Sequence, residues 1–232
     1  MGYEETQLRL SQFETHIHTK EVSPCSDCSA AEAVSRCIAL GYGGMAVTDH
    51  FAEDTHRRMH KFFWQDRISF FLRGYRNALA AAPKTFAVLL GMELRFTGEG
   101  NNDYLVYGVD ETLLRGNEGF DKLGIARFSE LAKKHGLLVY QAHPFRFGMT
   151  LTRPKYLDGI EVYNGNAHHD SHNAIAAAWA EACGLGALSG SDYHGGDTGD
   201  GIAPGGIALP GPLRDNAQLL RALRDGNYKL MQ

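Results

Sequence analysis

Short apolar runs recur along this chain, and most of them end in an imidazole or a carboxylate: His16 and His18, Asp49 and His50, Glu93, His143, then Asp192 and His194. Segments of helical periodicity separate the runs, so the order is strand, helix, strand, helix, which calls for βα units and a mainly parallel sheet. Strand ends that share a direction share a face, and side chains far apart in sequence converge there. Core packing offers no reason for such side chains to recur at strand exits. A multinuclear metal site does, because borderline metals take imidazole nitrogen and carboxylate oxygen from several directions at once.

In FETHIH, residues 13–18, the two-residue strand period puts Phe13, Thr15 and Ile17 on one face and Glu14, His16 and His18 on the other. Ser29 with Glu32 reads as a capping box opening a helix that Gly41 closes. GMAVTDH is a short strand ending at Asp49 and His50; these two point to opposite faces, which leaves Asp49 to orient a neighbour. A long helix runs from about Phe62 to Ala82, where Pro83 marks its end, and its aromatic stretch to Tyr75 reads as core packing rather than a lid. FAVLLGMEL carries Glu93 near its exit, DYLVYGV follows, and a helix ends near His135 and Gly136. LLVYQAHP leads to His143, DGIEVYN exits at Asn164, a helix covers about Asp170 to Cys183, and GLGALSGSDYH delivers Asp192 and His194. A helix of about Asp215 to Arg224 and a weak strand finish the chain. An open doubly wound sheet would announce a glycine-rich turn after its first strand, but Gly41, Gly43 and Gly44 precede a strand instead. A barrel is the expected architecture.

With 232 residues, 44% of them hydrophobic, and no Pro/Ser-rich linker, residues 1–232 read as one domain. The net charge of −4 without a Lys/Arg stripe disfavours strong duplex nucleic-acid binding, while leaving room for a pocket that takes one phosphate. No signal-type or spanning apolar run is present, so the reading is a soluble, cytoplasmic protein with no membrane partner. The four cysteines read as free thiols: Cys37 and Cys183 as small core side chains, Cys25 and Cys28 as a lone C-x-x-C without the second pair of a zinc finger.

His-Ile-His-Thr at 16–19, Thr-Asp-His at 48–50, Gly-Met-Glu at 91–93, Ala-His-Pro at 142–144 and Ser-Asp-Tyr-His at 191–194 stand in order along the chain. In this ordered set the chain resembles the polymerase and histidinol phosphatase (PHP) family. The resemblance implies a distorted (β/α)7 barrel that holds two or three divalent metal ions, zinc, manganese or iron, and hydrolyses phosphoesters. By the same resemblance, His16, His18 and Asp192 bind a first metal, Glu93 bridges it to a second held also by His143, and His50 and His194 hold a third. Two positions depart from the pattern. Asp103 stands where many members have a histidine, and the loop after the first strand offers only Glu21 or Cys25 as the further third-metal ligand.

The expected chemistry is attack by a metal-bridging hydroxide in a di- or trinuclear site, since two metals about 3.5–4 Å apart acidify a shared water and clamp phosphoryl oxygens. Asp192, His194 and Glu93 are the catalytic candidates, with Asp192 or His194 passing a proton to the leaving alkoxide. Arg146 is the first choice for a phosphate clamp, with Arg95 and Arg153 behind it, and Asn164 is a candidate substrate contact. His168, His169 and His172 read as capping or rim residues, His135 as a helix-end residue, and His56 and His60 as facing water. The expected partner is a small phosphomonoester or nucleotide-like substrate. The alternatives are a metallohydrolase acting on a non-phosphate ester or amide, and a catalytically silent metal-binding regulatory domain.

Overall fold

Strand β1, Ser11–Ile17, sits between two kinds of neighbour: β2, Tyr42–Val47, runs parallel to it, while β9, Ile207–Leu209, runs antiparallel on its other side. The structure, a computed structural model, describes residues 10–57, 63–196 and 203–232. Beyond β2 the sheet continues through β4, Ala87–Arg95; β5, Asp103–Tyr107; β6, Leu138–Gln141; β7, Gly159–Asn164; and β8, Gly186–Gly190. The two-residue strand β3, His50–Phe51, pairs with β4, and β10, Lys229–Leu230, pairs with β9.

The sheet curls until β8 meets β1. The amide of Asp192 donates to the His16 carbonyl at 2.8 Å, and the amide of His18 donates to the Tyr193 carbonyl at 3.0 Å, so the two strand exits are stitched together in a nearly closed barrel. Gly190 makes this seam possible: a Cβ there would lie 2.4 Å from the Cβ of His16.

The helices are α1, Ala30–Ala39; α2, Glu53–Arg57; α3, Trp64–Ala81; α4, Glu111–Gly116; α5, Gly124–His135; α6, Asn173–Cys183; and α7, Asn216–Asp225. Their ends follow local chemistry. Ser29 and Glu32 form the reciprocal capping box of α1, Gly136 closes α5 in the left-handed conformation, and Ala82 is extended because the following Pro83 excludes the helical region. Helix α6 begins at Asn173, three residues later than the sequence suggests, and neither α4 nor β9 was legible in the sequence pattern.

The main departure from the expected sheet is β5, which is antiparallel to both β4 and β6. Only residues 96–102 join β4 to β5, too few for the crossover a parallel pair requires. The reversal puts the beginning of β5, Asp103, at the same end of the barrel as the C-terminal ends of β4 and β6. Along β4 the strand period then sorts the side chains: Ala87 and Leu89 pack inward with Phe13, Leu105, Tyr107 and Tyr140, whereas Leu90, Met92 and Leu94 meet Phe71 and Leu72 of α3. Glu93 has the inward parity. Trp64 and Phe71 pack around Phe51 and Phe120, so these two aromatics of the segment are core as expected, whereas Phe63 at its start is 82% exposed. Among the described residues no helix is long and apolar enough to cross a membrane.

Candidate metal centre

The strand ends bring eight ligand-type side chains to one mouth. Across β3 and β4, His50 is the register partner of Glu93, and its Nδ1 lies 2.7 Å from Glu93 Oε2. On the other side of that carboxylate, Oε1 is 3.1 Å from His143 Nε2 and 3.5 Å from His16 Nε2, while His18 Nε2 is 3.3 Å from Oε2. Asp192 Oδ1 lies 3.3 Å from His16 Nε2 and 3.4 Å from His18 Nε2. His194 stacks on His18 with ring centroids 4.1 Å apart, and Asp103 Oδ2 is 4.0 Å from His143 Nε2. Three overlapping groups each hold ligand atoms within 4.8 Å of one another: His16, His18 and Glu93; His50, Glu93 and Asp103; His18, His50 and His194.

Hydrogen bonds behind these groups fix the ring tautomers. Glu161 Oε1 accepts from His16 Nδ1 at 2.8 Å, which leaves the Nε2 lone pair of a neutral ring facing the cluster. His194 Nδ1 donates to the Asp192 carbonyl at 2.9 Å, which likewise frees its Nε2. Ser23 Oγ donates to Asp49 Oδ1 at 2.7 Å and can therefore accept from His18 Nδ1 at 3.3 Å. With His16 neutral, its Nε2 and that of His18 oppose each other as bare nitrogens at 3.1 Å; the acidic surroundings that raise the pKa of His16 favour a proton in that gap, the place a metal cation would take. Glu93 Oε2 is buried without a geometrically sound hydrogen bond, and so is His143 Nδ1. Acceptors packed against acceptors want a cation between them.

The electrostatics agree. Glu93, Asp103, Asp192 and Glu161 are all buried, against only two guanidiniums, Arg95 and Arg146. Burial opposes a charge on His16, but Glu161, Asp192 and Glu93 outweigh it and hold its pKa well above the usual imidazole value. His18 moves the other way, pushed well down by burial and by His194 and His50. Burial works to raise Glu93 and Asp192, yet the imidazoles around them hold both carboxyls well below their usual range. The donor set, nitrogen and carboxylate oxygen with second-layer partners in place, fits divalent metals. Two of the residues take left-handed backbone conformations that non-glycine residues rarely adopt: His143 at φ 29° and Asp192 at φ 53°.

The remaining sequence candidates divide clearly. Asp49 does face away from the cluster, where it accepts from the amide of Thr19 at 2.6 Å, the hydroxyl of Thr19 at 2.7 Å, and Ser23. Helix α3 approaches it so closely that a Cβ on Gly74 would lie 2.1 Å from Asp49 Oδ2. Glu21 is not brought into the centre: its carboxylate accepts from the amide of Ala30 at the start of α1 and from Asn77. Cys25 is in the mouth, with its thiol against the imidazoles of His194 and His50; burial raises its pKa, but those contacts bring it down to about 7. Asp103 is gripped by Arg95 at 2.6 and 2.8 Å, its strand partner across β4 and β5.

Arg146 points into the mouth, where it donates to Asp192 Oδ2 at 2.8 Å and to Asn164 Oδ1 at 3.1 Å. Asn164 in turn donates to Asp192 and Glu161. A cavity of about 400 Å³ opens over the cluster, lined by Cys25, His50, Glu93, Arg95, Asp103, His143, Arg146, Asp192 and His194, with His168 and His169 exposed on its rim. Arg153 lines a different groove with Tyr104 and Tyr156, His172 pairs with Asp170, and His135 is exposed in the last turn of α5. His60 and the side chain of His56 lie outside the described residues.

Two buried carboxylates were missed by the sequence reading. Glu161 serves His16, the amide of His143 at 3.0 Å and Asn164, and Glu14 accepts from the amides of Thr15, His16 and Ser191 across the seam. Glu161 interrupts the apolar run of β7, and an acid in that setting was the available signal; Glu14, in the polar-rich β1, offered only the face it shares with His16 and His18.

A nearly closed α/β barrel with an imidazole and carboxylate cluster at its mouth defines a protein of the metal-centred barrel class. The PHP domain profile matches residues 14–200, and the chain belongs to the PHP domain family. Among solved structures, it is similar to a two-domain protein from Bacteroides vulgatus containing a predicted PHP-like metal-dependent phosphoesterase. That match has 18% identity and a TM-score of 0.67, covering 96% of this chain and 64% of that one, so this chain spans just under two thirds of its length. It is also similar to PsfC from Pseudomonas syringae, at 20% identity and a TM-score of 0.63, covering 90% of this chain and 87% of that one. A third similar structure is a lesion-specific endonuclease from Pyrococcus furiosus, at 13% identity and a TM-score of 0.61, covering 96% of this chain and 58% of that one. At these identities the likeness is one of fold. No curated protein matches the sequence.

Proposed function

We propose that this protein is a metal-dependent phosphoesterase acting on a small phosphomonoester or nucleotide-like substrate. The observation that carries the reading is the convergence of His16, His18, His50, Glu93, Asp103, His143, Asp192 and His194 beneath a cavity that Arg146 enters from the side. Membership of the PHP family supports it. Glu93 lies in two of the three ligand groups, which suits a carboxylate shared between two ions. Two or three divalent ions, zinc, manganese or iron, held there would supply an acidified water and positive charge for phosphoryl oxygens.

The chain's own residues do the rest. Glu161, Ser23 and the Asp192 carbonyl hold His16, His18 and His194 with one nitrogen protonated and the other free to ligate. Arg146 offers its guanidinium fork to the phosphate, a geometry that Lys cannot copy. In this structure that fork rests on Asp192 and Asn164, so the phosphate would compete for it. When no ion takes its Nε2, His194, 21% exposed at the cavity wall and with a raised pKa, is instead positioned to hand a proton to the leaving oxygen.

A second cleft of about 330 Å³, lined by Glu53, Arg57, Phe96 and Asn101, meets the first at Arg95. That continuity leaves room for a larger leaving group and makes phosphodiesters the second reading. The test is elemental analysis of purified protein beside a panel of phosphomonoesters, phosphodiesters, esters and amides, with manganese or zinc added. Two or three metal equivalents with metal-stimulated phosphate release support the proposal. Bound metal with turnover only of esters or amides overturns it, as does bound metal with no turnover at all.

A further inference from the structure

Strand β7 outruns one of its neighbours. On that side, β6 pairs only with Gly159 and Ile160 and ends at Gln141, whereas β8 stays beside β7 as far as Asn164. Asn164 therefore reaches the mouth without a strand on its outer side, and its buried N–H and C=O must find partners elsewhere. They find both in one side chain nine residues on. The amide of Asn164 donates to Asn173 Oδ1 at 3.0 Å, and Asn173 Nδ2 donates back to the carbonyl of Asn164 at 3.1 Å. The carboxamide does what an adjacent strand would do. Asn173 is the first residue of α6, and His172 before it takes a left-handed conformation, φ 50°, that the surrounding structure has to enforce.

The residue held in this way is the hub of the Arg146 side of the mouth. Asn164 Nδ2 donates to Glu161 Oε2 at 2.9 Å and to Asp192 Oδ2 at 3.2 Å. Its Oδ1 accepts from Arg146 and from the amide of Asn166, both at 3.1 Å. These partners fix which end of the carboxamide faces the guanidinium. Arg146 makes its other contacts to Asp192 and Ser171, so its place over the cavity follows the position of Asn164. Asn173 lies behind this layer and outside the cavity lining.

We infer that Asn173 is a positioning residue for phosphate binding: by holding both backbone groups of Asn164 it sets that residue's carboxamide and, through it, the guanidinium of Arg146. A carboxamide is required, because one planar group has to accept from the N–H and donate to the C=O, and a carboxylate only accepts. The inference rests on the phosphoesterase reading above for what Arg146 binds, and on the hydrogen bonds alone for how Arg146 is held.

The test compares Asn173→Ala and Asn173→Asp in the full chain. Aspartate keeps the acceptor and suits the first turn of a helix, so α6 and the melting temperature should be preserved, but it sets an acceptor against the Asn164 carbonyl. Both variants should raise KM for phosphorylated substrates roughly fivefold. Metal content should stay intact and kcat should change by less than about twofold, the pattern of lost uniform binding. A residue that only started α6 would be replaced by aspartate without effect. A second readout needs no turnover: in proton–nitrogen correlation spectra of the zinc-treated protein, the side-chain amide signals of buried Asn164 should shift and exchange faster with solvent in Asn173→Asp. A parent-like KM in Asn173→Asp, or unmoved Asn164 signals, refutes the inference and leaves the phosphoesterase reading in place. A parent protein that turns over no phosphoester overturns that reading instead, and the Asn164 signals alone then decide whether Asn173 holds the network.

Discussion

Two buried regions of this barrel lie within a few residues of each other and are buried for opposite reasons. Phe51 points into an aromatic cluster with Trp64, Phe71 and Phe120, its ring centroid 4.8 to 5.9 Å from theirs, and every surface there is answered by another carbon. His50, one residue earlier, points to the other side, against Glu93, where imidazoles and carboxylates meet with bare acceptors facing one another. The first region is complete as it stands, and its burial stabilises the fold through area and aromatic geometry. The second carries desolvation costs that protons on His16 and His50 offset in part and that a bound metal cation would offset further. Burial of a side chain therefore says nothing about its purpose until its partners are counted.

The sharpest way to break this contrast is Glu93→Ala. Turnover and the bridging metal should both vanish, while the metal-free protein stays folded and melts only slightly lower than the metal-free parent, because the imidazoles lose the carboxylate that they hold well below its usual range. A large fall in melting temperature of the metal-free form would mean that the cluster is structural. Phe120→Ala should do the reverse: a loss of about 3–5 kcal/mol in denaturant unfolding, with metal content per folded molecule unchanged. A smaller effect is expected from Glu161→Gln, which keeps the shape but weakens the hold on His16 Nδ1. Metal affinity by competition with a chelator should drop roughly 10–100-fold, and an unaltered affinity would remove Glu161 from the support of the centre. The smallest change is Arg146→Lys, which trades a fork for a point charge and should raise KM for phosphorylated substrates roughly tenfold, about 1.4 kcal/mol, with metal content intact. Equal KM values would take Arg146 out of substrate binding.

Much of the site was legible because it follows the strand period. His16 and His18 share a face by parity alone, Asp49 and His50 diverge by the same rule, and Glu93, His143, Asp192 and His194 each follow an apolar run. Other features needed the chain to close on itself. Asp103 opens a strand, and nothing local says that β5 runs backwards so that an opening lies among exits. Glu21 and Cys25 looked equivalent in the first loop until helix α1 claimed the carboxylate, while the bonds of Ser23 and Ser26 to the backbone of His50 and His194 left the thiol in the mouth. Glu161 sits mid-strand, where its partner His16 is 145 residues away.

The amino-acid order by itself determined which residues are chemically fit to ligate, which lie on the inner face of each strand, and where the helices stop, because those properties depend on neighbours one to four residues away. Which ligands share an ion, which nitrogen of each ring is free, and whether an arginine grips a carboxylate or a phosphate were decided only by the folded barrel. Those are distances between strands, and strand direction, register and seam are set by the whole sheet at once.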